Sequence, residues 1–198
     1  MEFLFSILDS PRLEPTEVIL FILLIAIVIA NRYDGHRVYL AITLFAIKLL
    51  DLIIRPFLPW DIIVFQSAFL ILNLAAVILI VYRVTVVSWL RKVTSLSFTI
   101  FNNDNTAKEQ IVIAYIWGLT GILCLAMIIE HLVRHPYLIG LPPDWAIKTQ
   151  IIYDIYTPVV TALTYLLILI LFIMTIDGWA IRKMRAMEEK SNAKKRLD

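Results

Sequence analysis

Cysteine, glycine and charged residues are all scarce in this chain of 198 residues. The single cysteine, Cys124, excludes a disulfide framework, a zinc site of several cysteines and an iron–sulfur site within one chain. Charged residues make up 17%, against about 25% in soluble domains, whereas 61% of the residues are hydrophobic. A water-soluble fold of this length could not bury so many apolar side chains. The composition therefore indicates an integral membrane protein.

The sequence also lacks the side-chain patterns that are typical of enzymes. Ser67, Ser88 and Cys124 could act as nucleophiles, but none has a base near it in the sequence. No nucleotide-binding or cofactor-binding motif is present. We therefore expect a protein that is not an enzyme and holds no cofactor, and an intramembrane enzyme is the least supported alternative.

Five apolar segments predict an all-α bundle of five transmembrane helices, since a helix needs about 20 residues to cross a bilayer. The first segment is short, but it lacks the basic start and the cleavage site of a signal peptide, so we expect it to remain as a span. The predicted spans are residues 15–33, 38–58, 62–89, 109–134 and 148–181. The bundle then occupies residues 1–181, with an outer interfacial segment at 1–14, a cytoplasmic loop at 91–108 and a basic cytoplasmic tail at 182–198.

The distribution of lysine and arginine predicts the orientation of the bundle. With the N-terminus outside, thirteen of the 18 basic residues lie near cytoplasmic span ends and four near outer ends, while Lys48 lies inside a span. Basic residues concentrate on the cytoplasmic side of membrane proteins. We therefore expect an N-out, C-in topology in a membrane such as the bacterial inner membrane.

Two predicted outer hairpins, residues 51–61 and 130–145, have similar sequences. Each contains an acid, an arginine four residues later, a proline, an aromatic–leucine pair and a tryptophan next to an aspartate. Residues four apart share a helix face, so the spacing predicts the ion pairs Asp51–Arg55 and Glu130–Arg134. The similarity suggests a parallel duplication of a helical hairpin. The alternative is that any two outer hairpins have these features in common.

Polar residues inside the predicted spans are the strongest candidate functional positions. A lysine at mid-span costs about 2.5–3.5 kcal/mol on insertion scales, so Lys48 needs a partner, and Asp51 follows three residues later. Asn73 is a further intramembrane amide. The fifth span carries a polar stripe of Gln150, Asp154, Thr157, Thr161 and Tyr165. We expect these groups to pack within the bundle or between copies; the alternative is an ion or proton pathway through Lys48, Asp51 and Asp154.

Two other groups of residues are weaker candidates. His131 and His135 are spaced to share a metal, but Arg134 lies between them and no second histidine pair exists. The tail and the 91–108 loop could bind anionic lipid or an acidic cytoplasmic protein, and nucleic acid is a less expected partner. The basic residues of the tail that carry this expectation are Arg182, Lys183, Arg185, Lys194, Lys195 and Arg196.

These features favour a non-enzymatic polytopic membrane subunit. We expect it to self-associate or to join other membrane subunits, and to engage a cytoplasmic protein in a larger complex. The sequence does not distinguish sensing, defence, secretion or respiratory complexes. A small ion or proton channel, or a transporter, is the alternative.

Overall fold

The computed structural model describes residues 14–32, 34–59, 61–94, 108–148 and 150–195. Its helices are α1 Pro15–Ala30, α2 Gly35–Ile54, α3 Ile62–Val81, α4 Arg83–Thr94, α5 Lys108–Arg134 and α6 Ile151–Lys195. Short 3-10 turns lie at Arg55–Phe57, Pro136–Ile139 and Pro143–Trp145. These ranges contain no strand, which confirms the all-α prediction. Residues 1–13 of the predicted outer segment at 1–14, most of the 91–108 loop and Arg196 lie outside them.

Three of the helices are long and apolar enough to cross a membrane. They are α3, α5 and the Ile151–Glu188 part of α6. Helix α1 is equally apolar but has only 16 residues. Helix α2 has 20 residues but includes three charged ones, Arg37, Lys48 and Asp51. The two remaining predicted spans therefore correspond to a short helix and to a charged helix.

Local capping fixes where two of the helices begin. Asp34 accepts hydrogen bonds from the backbone amides of His36 and Arg37, so α2 begins at Gly35, three residues before the predicted span. Asp61 accepts one from the amide of Val64 at the start of α3.

Helix α3 is interrupted at Tyr82, whereas the sequence predicts one continuous span over residues 62–89. Tyr82 has φ −89° and ψ 27°, which is outside the α-helical region. Its amide still donates to the carbonyl of Ile78, and the amide of Val86 donates to the carbonyl of Tyr82. A one-residue bend therefore joins α3 to α4, and it leaves Arg83 and Val87 buried.

The helices pack around one apolar core. Helix α3 lies along α5, while α1 packs against both α2 and α6. The side chains at its centre that are at most 1% exposed include Leu24, Ile27, Leu44, Ile80 and Leu171. We call the end where α2 stops and α3 and α6 begin the Pro56 end. The opposite end, where α2 begins, is the Asp34 end.

Candidate functional site

A cavity of about 240 Å³ lies between α1, α2, α3, α5 and α6 at the Pro56 end. Its polar and charged lining consists of Glu14, Thr16, Glu17, Lys48, Asp51, Arg55, Asn73, Thr120, Tyr156 and Thr164. Deeper in the bundle the lining becomes apolar, at Leu20, Ile47 and Leu167. The next side chains, Leu24 and Leu171, are packed in the core. The cavity is therefore closed towards the Asp34 end.

A row of ion pairs forms one wall of the cavity. Asp51 Oδ2 lies 2.9 Å from Arg55 Nη2 and 3.5 Å from Lys48 Nζ. Asp51 itself is only 5% exposed. The i, i+3 and i, i+4 spacing predicts both contacts, because these positions share one face of a helix. Both contacts are present.

The same row includes a residue that the sequence analysis did not single out, Glu17 of α1. Its Oε1 lies 2.7 Å from Arg55 Nη2, so Arg55 joins two carboxylates on two different helices. The sequence holds one signal for this contact. Glu17 lies in the first turn of the first apolar helix, and that turn is expected at the same end of the bundle as the C-terminus of α2. The row therefore alternates in sign, and α1 is tied to α2 by it.

Asn73 lines the same cavity from α3 and is buried, with 4% of its surface exposed. Its side-chain amide donates to the carbonyl of Phe69 at 2.7 Å. The thiol of Cys124 lies nearby, 3.6 Å from the hydroxyl of Tyr156. The cavity therefore offers fixed charges, an amide and hydroxyl groups to a bound molecule.

The predicted ion pair between Glu130 and Arg134 is wrong. Glu130 instead accepts hydrogen bonds from the backbone amides of Ile152 and Tyr153, at 3.3 and 2.8 Å. A carboxylate is stabilised there because the first amides of a helix have no intrahelical acceptor and the helix dipole is positive at that end. The Arg134 guanidinium lies over the ring of Tyr153. The two similar hairpins therefore make different contacts, because Asp51 binds side chains and Glu130 binds backbone.

The polar stripe of α6 does not reach the cavity, contrary to a pathway that combines Asp154 with Lys48 and Asp51. Its members are all exposed: Gln150, Asp154, Thr157, Thr161 and Tyr165. The buried face of α6 carries Leu167, Leu171 and Met174. Residues two apart on a helix are rotated by about 200°, so Tyr165 lies nearly opposite Leu167. The stripe therefore faces away from the bundle.

His131 and His135 pack against each other, with ring centroids 4.6 Å apart. No group of three potential metal-ligating side chains occurs within the part of the chain that the structure describes. In the tail, Lys183 and Arg185 are exposed, and the guanidinium of Arg182 lies over the ring of Trp179. Lys194 and Lys195 belong to the last turn of α6.

A second ionic cluster lies at the Asp34 end, around Arg37, which in the sequence is one basic residue among many. Arg37 Nη2 lies 2.8 Å from Glu109 of α5 and 3.4 Å from Asp177 of α6. Its Nε is 3.7 Å from Asp34, and its Nη1 donates to the side chain of Asn31. Arg37 therefore links the connection between α1 and α2 to α5 and α6, which are far from it in sequence.

Asn31 completes this cluster by joining the end of α1 to α6. Its side-chain amide donates to the carbonyls of Ile27 and Met174, both at 3.2 Å. Gly178 makes this close approach possible, because a Cβ atom at Gly178 would lie 2.5 Å from the Asn31 side chain. Polar clusters thus lie at both ends of the bundle, with the apolar core between them.

Comparison of the chain with protein-family models, with curated proteins and with solved structures finds no match.

Proposed function

We propose that this chain is a non-catalytic membrane protein that crosses the bilayer five times, self-associates, and presents a helix to a cytoplasmic partner. The spans are α1, α2, α3, α5 and α6. Large apolar side chains on the outside of the bundle support a lipid environment, since soluble proteins rarely expose so many together. Examples on four helices are Ile22, Ile71, Ile122 and Phe172, each more than half exposed. The charges of α2 are compatible with a span because Asp51 and Arg37 are ion-paired inside the bundle.

The basic residues support an orientation with the Asp34 end in the cytoplasm. Arg37, Arg83 and Lys108 lie at this end, as does the basic extension of α6. Arg55, Arg134 and Lys148 lie at the Pro56 end. The positive-inside rule then favours N-out and C-in, in a membrane such as the bacterial inner membrane.

A reporter fusion tests this orientation. A reporter that is active only in the cytoplasm should be active when fused after Asp198 and inactive when inserted at Pro142, which lies in the α5–α6 connection. A periplasm-specific reporter should give the opposite pattern and serves as the control. Cytoplasmic activity at Pro142 would contradict the five-span topology.

Helix α6 is the observation that carries this proposal. It is one uninterrupted helix of 45 residues, or about 68 Å at 1.5 Å per residue, whereas a bilayer core is about 30 Å thick. From Asp177 to Lys195 it continues for about 28 Å past the last long apolar run. We call this segment the α6 arm.

The charge and direction of the α6 arm favour a protein partner over the lipid surface. The arm belongs to the same helix as the span, and its backbone reaches Lys195 roughly 25 Å along the helix from its start. Attraction to anionic lipids decays within a Debye length of about 8 Å. A basic helix that extends beyond this distance fits an acidic cytoplasmic protein. Exposed Met184 and Met187 on the arm add adaptable apolar contacts.

The polar stripe of α6 supports self-association. Within the described part of the chain, the hydroxyls of Thr157 and Thr161 donate no hydrogen bond, in contrast to Thr164, which donates to the carbonyl of Val160. Pro158 has no amide hydrogen, so the carbonyl of Asp154 also loses its helical partner. Small residues four apart, here Thr157 and Thr161, allow two helices to approach closely in a membrane. A second copy presents the same groups across a two-fold axis.

Removal of two hydroxyls tests self-association through α6. The double variant Thr157→Val with Thr161→Val should weaken the dimer by about 2.4 kcal/mol, or roughly 60-fold, at roughly 0.6 kcal/mol for each of the four interhelical hydrogen bonds that the two copies lose. Light scattering in mild detergent should then give a mass near 22.8 kDa at concentrations where the wild type gives about twice that.

The matched control is Thr175→Val, which makes the same chemical change on the same helix. The hydroxyl of Thr175 already donates to the carbonyl of Leu171 at 2.8 Å, so this variant should remain dimeric. A wild type that is monomeric in both detergent and lipid nanodiscs would exclude this interface.

A small transporter is a second candidate, favoured by the charged cavity at the Pro56 end. An open pore agrees less well with the described core, because Leu24, Leu44 and Leu171 close the cavity below Leu167. Transport would therefore require the helices to rearrange around this core.

A further inference from the structure

The charged cavity at the Pro56 end has features of a binding site that do not depend on self-association or on the α6 arm. Lys48 is its most unusual residue. Within the described part of the chain its ammonium has one hydrogen-bond acceptor, Asp51, at the long distance of 3.5 Å. The face of the Trp117 ring lies 5.5 Å from Nζ. Since an ammonium group has three donors, at least two remain available to a bound molecule.

The cations of the cavity are more exposed than its paired acids. The side chains of Lys48 and Arg55 are 26% and 31% exposed, while those of Asp51 and Glu17 are 7% and 17% exposed. Lys48 and Arg55 are therefore more accessible than the two acids that pair with them. Glu14, at the outermost part of the lining, is the one exposed acid among the lining residues that the structure describes.

The rest of the lining favours an organic ligand over an inorganic ion. Aliphatic side chains from four helices surround the charged wall: Leu20, Ile47, Leu72, Val160, Leu163 and Leu167. A strongly hydrated ion would lose its water against these groups without compensation. The hydroxyls of Thr120 and Thr164 already donate to carbonyls of their own helices, so these groups can only accept. Lys48 is thus the donor best placed to orient a ligand.

The volume limits the size of the ligand. At about 240 Å³ the cavity is smaller than the 300–1,000 Å³ typical of sites for drug-sized molecules. It suits a compact molecule with one charged group and a short apolar part. The charged group would face Lys48 and Arg55, and the apolar part would face the aliphatic walls.

We propose that this cavity binds a small organic monocarboxylate, with Lys48 as the residue that holds the carboxylate. The aliphatic wall contributes affinity by burying the alkyl part of the ligand, about fourfold for each CH₂. Affinity should therefore rise with chain length until the cavity is full. Entry is from the Pro56 end, since the core closes the other side.

Ligand binding to the full-length protein in mild detergent tests the proposal. We would titrate acetate, butyrate and hexanoate by calorimetry, with butyramide as a neutral probe of the same shape as butyrate and butylammonium as a cationic probe of similar length. The wild type should bind butyrate at least tenfold more tightly than either of these probes. Equal binding of the three C4 probes, or no binding of any carboxylate, would overturn the proposal.

Variants identify the residue responsible. Lys48→Met should weaken butyrate binding at least tenfold, and Lys48→Arg should restore much of it. Thr120→Leu, which fills the cavity without changing its charge, should also abolish binding. The control is Lys148→Met, an exposed cation at the same end that does not line the cavity. Full butyrate affinity in Lys48→Met would refute the assignment, and measuring the mass of each variant separates this result from a loss of self-association.

Discussion

Replacement of Asp51 by leucine should lower the free energy of unfolding of the solubilised protein by about 2–3 kcal/mol, less than the roughly 3–5 kcal/mol for a fully buried unpaired charge, because the Lys48 side chain is 26% exposed. Asp51 is 5% exposed and contacts two cations. Its removal leaves Lys48 with no carboxylate, while Arg55 keeps Glu17 at 2.7 Å. A loss of this size is a large fraction of a typical total stability of about 5–15 kcal/mol.

Lys48→Met alone should be much milder, about 0–1 kcal/mol, because its contact is long and its side chain is partly exposed. The double variant Asp51→Leu with Lys48→Met should recover most of the lost stability, since no unpaired lysine remains. Thermal unfolding followed by size-exclusion chromatography measures all three variants. Equal damage from the two single variants would show that Lys48 and Asp51 are equivalent, and would contradict the central position of Asp51 in the ion-paired row.

The difference between these two variants could not be derived from the sequence. Spacing on one helix predicts that Lys48, Asp51 and Arg55 share a face, and it does so because helical geometry is local. It does not reveal that Glu17 reaches the same row from α1. That contact depends on how two helices pack, which is not encoded in the spacing of either one. Sequence reasoning therefore ranks Lys48 and Asp51 equally.

Helix rotation explains the other differences. The spacing of the stripe from Asp154 to Tyr165 shows that these residues share one face of α6. It does not show whether that face points to the cavity or away from the bundle. Leu167 and Leu171 pack in the core, so the polar face of α6 points away from the bundle. Glu130 was similarly ambiguous, because an acid near the end of a helix can pair with an arginine of its own helix or cap the next one. The amides of Ile152 and Tyr153 bind it.

The helices themselves were easier to predict, since their apolar runs are long and the chain has few glycines to interrupt them. The errors lie at single residues. Asp34 starts α2 early through its cap, and Tyr82 bends α3 although it is neither proline nor glycine. The extent of α6 depends on polar residues beyond the apolar run. After Pro158 the helix contains no further proline, and its one glycine, Gly178, packs against Asn31 and does not end it. The helix therefore continues to Lys195.

Replacement of Arg37 by methionine should destabilise the Asp34 end of the bundle by roughly 2–3 kcal/mol. Its guanidinium is largely buried, with 12% of the side chain exposed, and Glu109 is 27% exposed. Buried pairs lose about 3–5 kcal/mol when one partner is removed. We expect less here because Asp34 and Asp177 are 43% and 50% exposed, so water screens part of the repulsion that remains between the acids.

Three comparisons distinguish the loss of the Arg37 contacts from a general effect of removing one positive charge. Arg37→Lys should restore only part of the stability, because a single ammonium cannot reproduce the contacts of the planar guanidinium with Glu109, Asp177 and Asn31. Adding Glu109→Gln to Arg37→Met should recover stability, since it removes the most buried acid of the cluster. Lys108→Met removes an exposed cation next to Glu109 and should have little effect on unfolding. If Lys108→Met is as damaging as Arg37→Met, net charge at this end controls stability, and the contacts that join α2 to α5 and α6 through Arg37 do not.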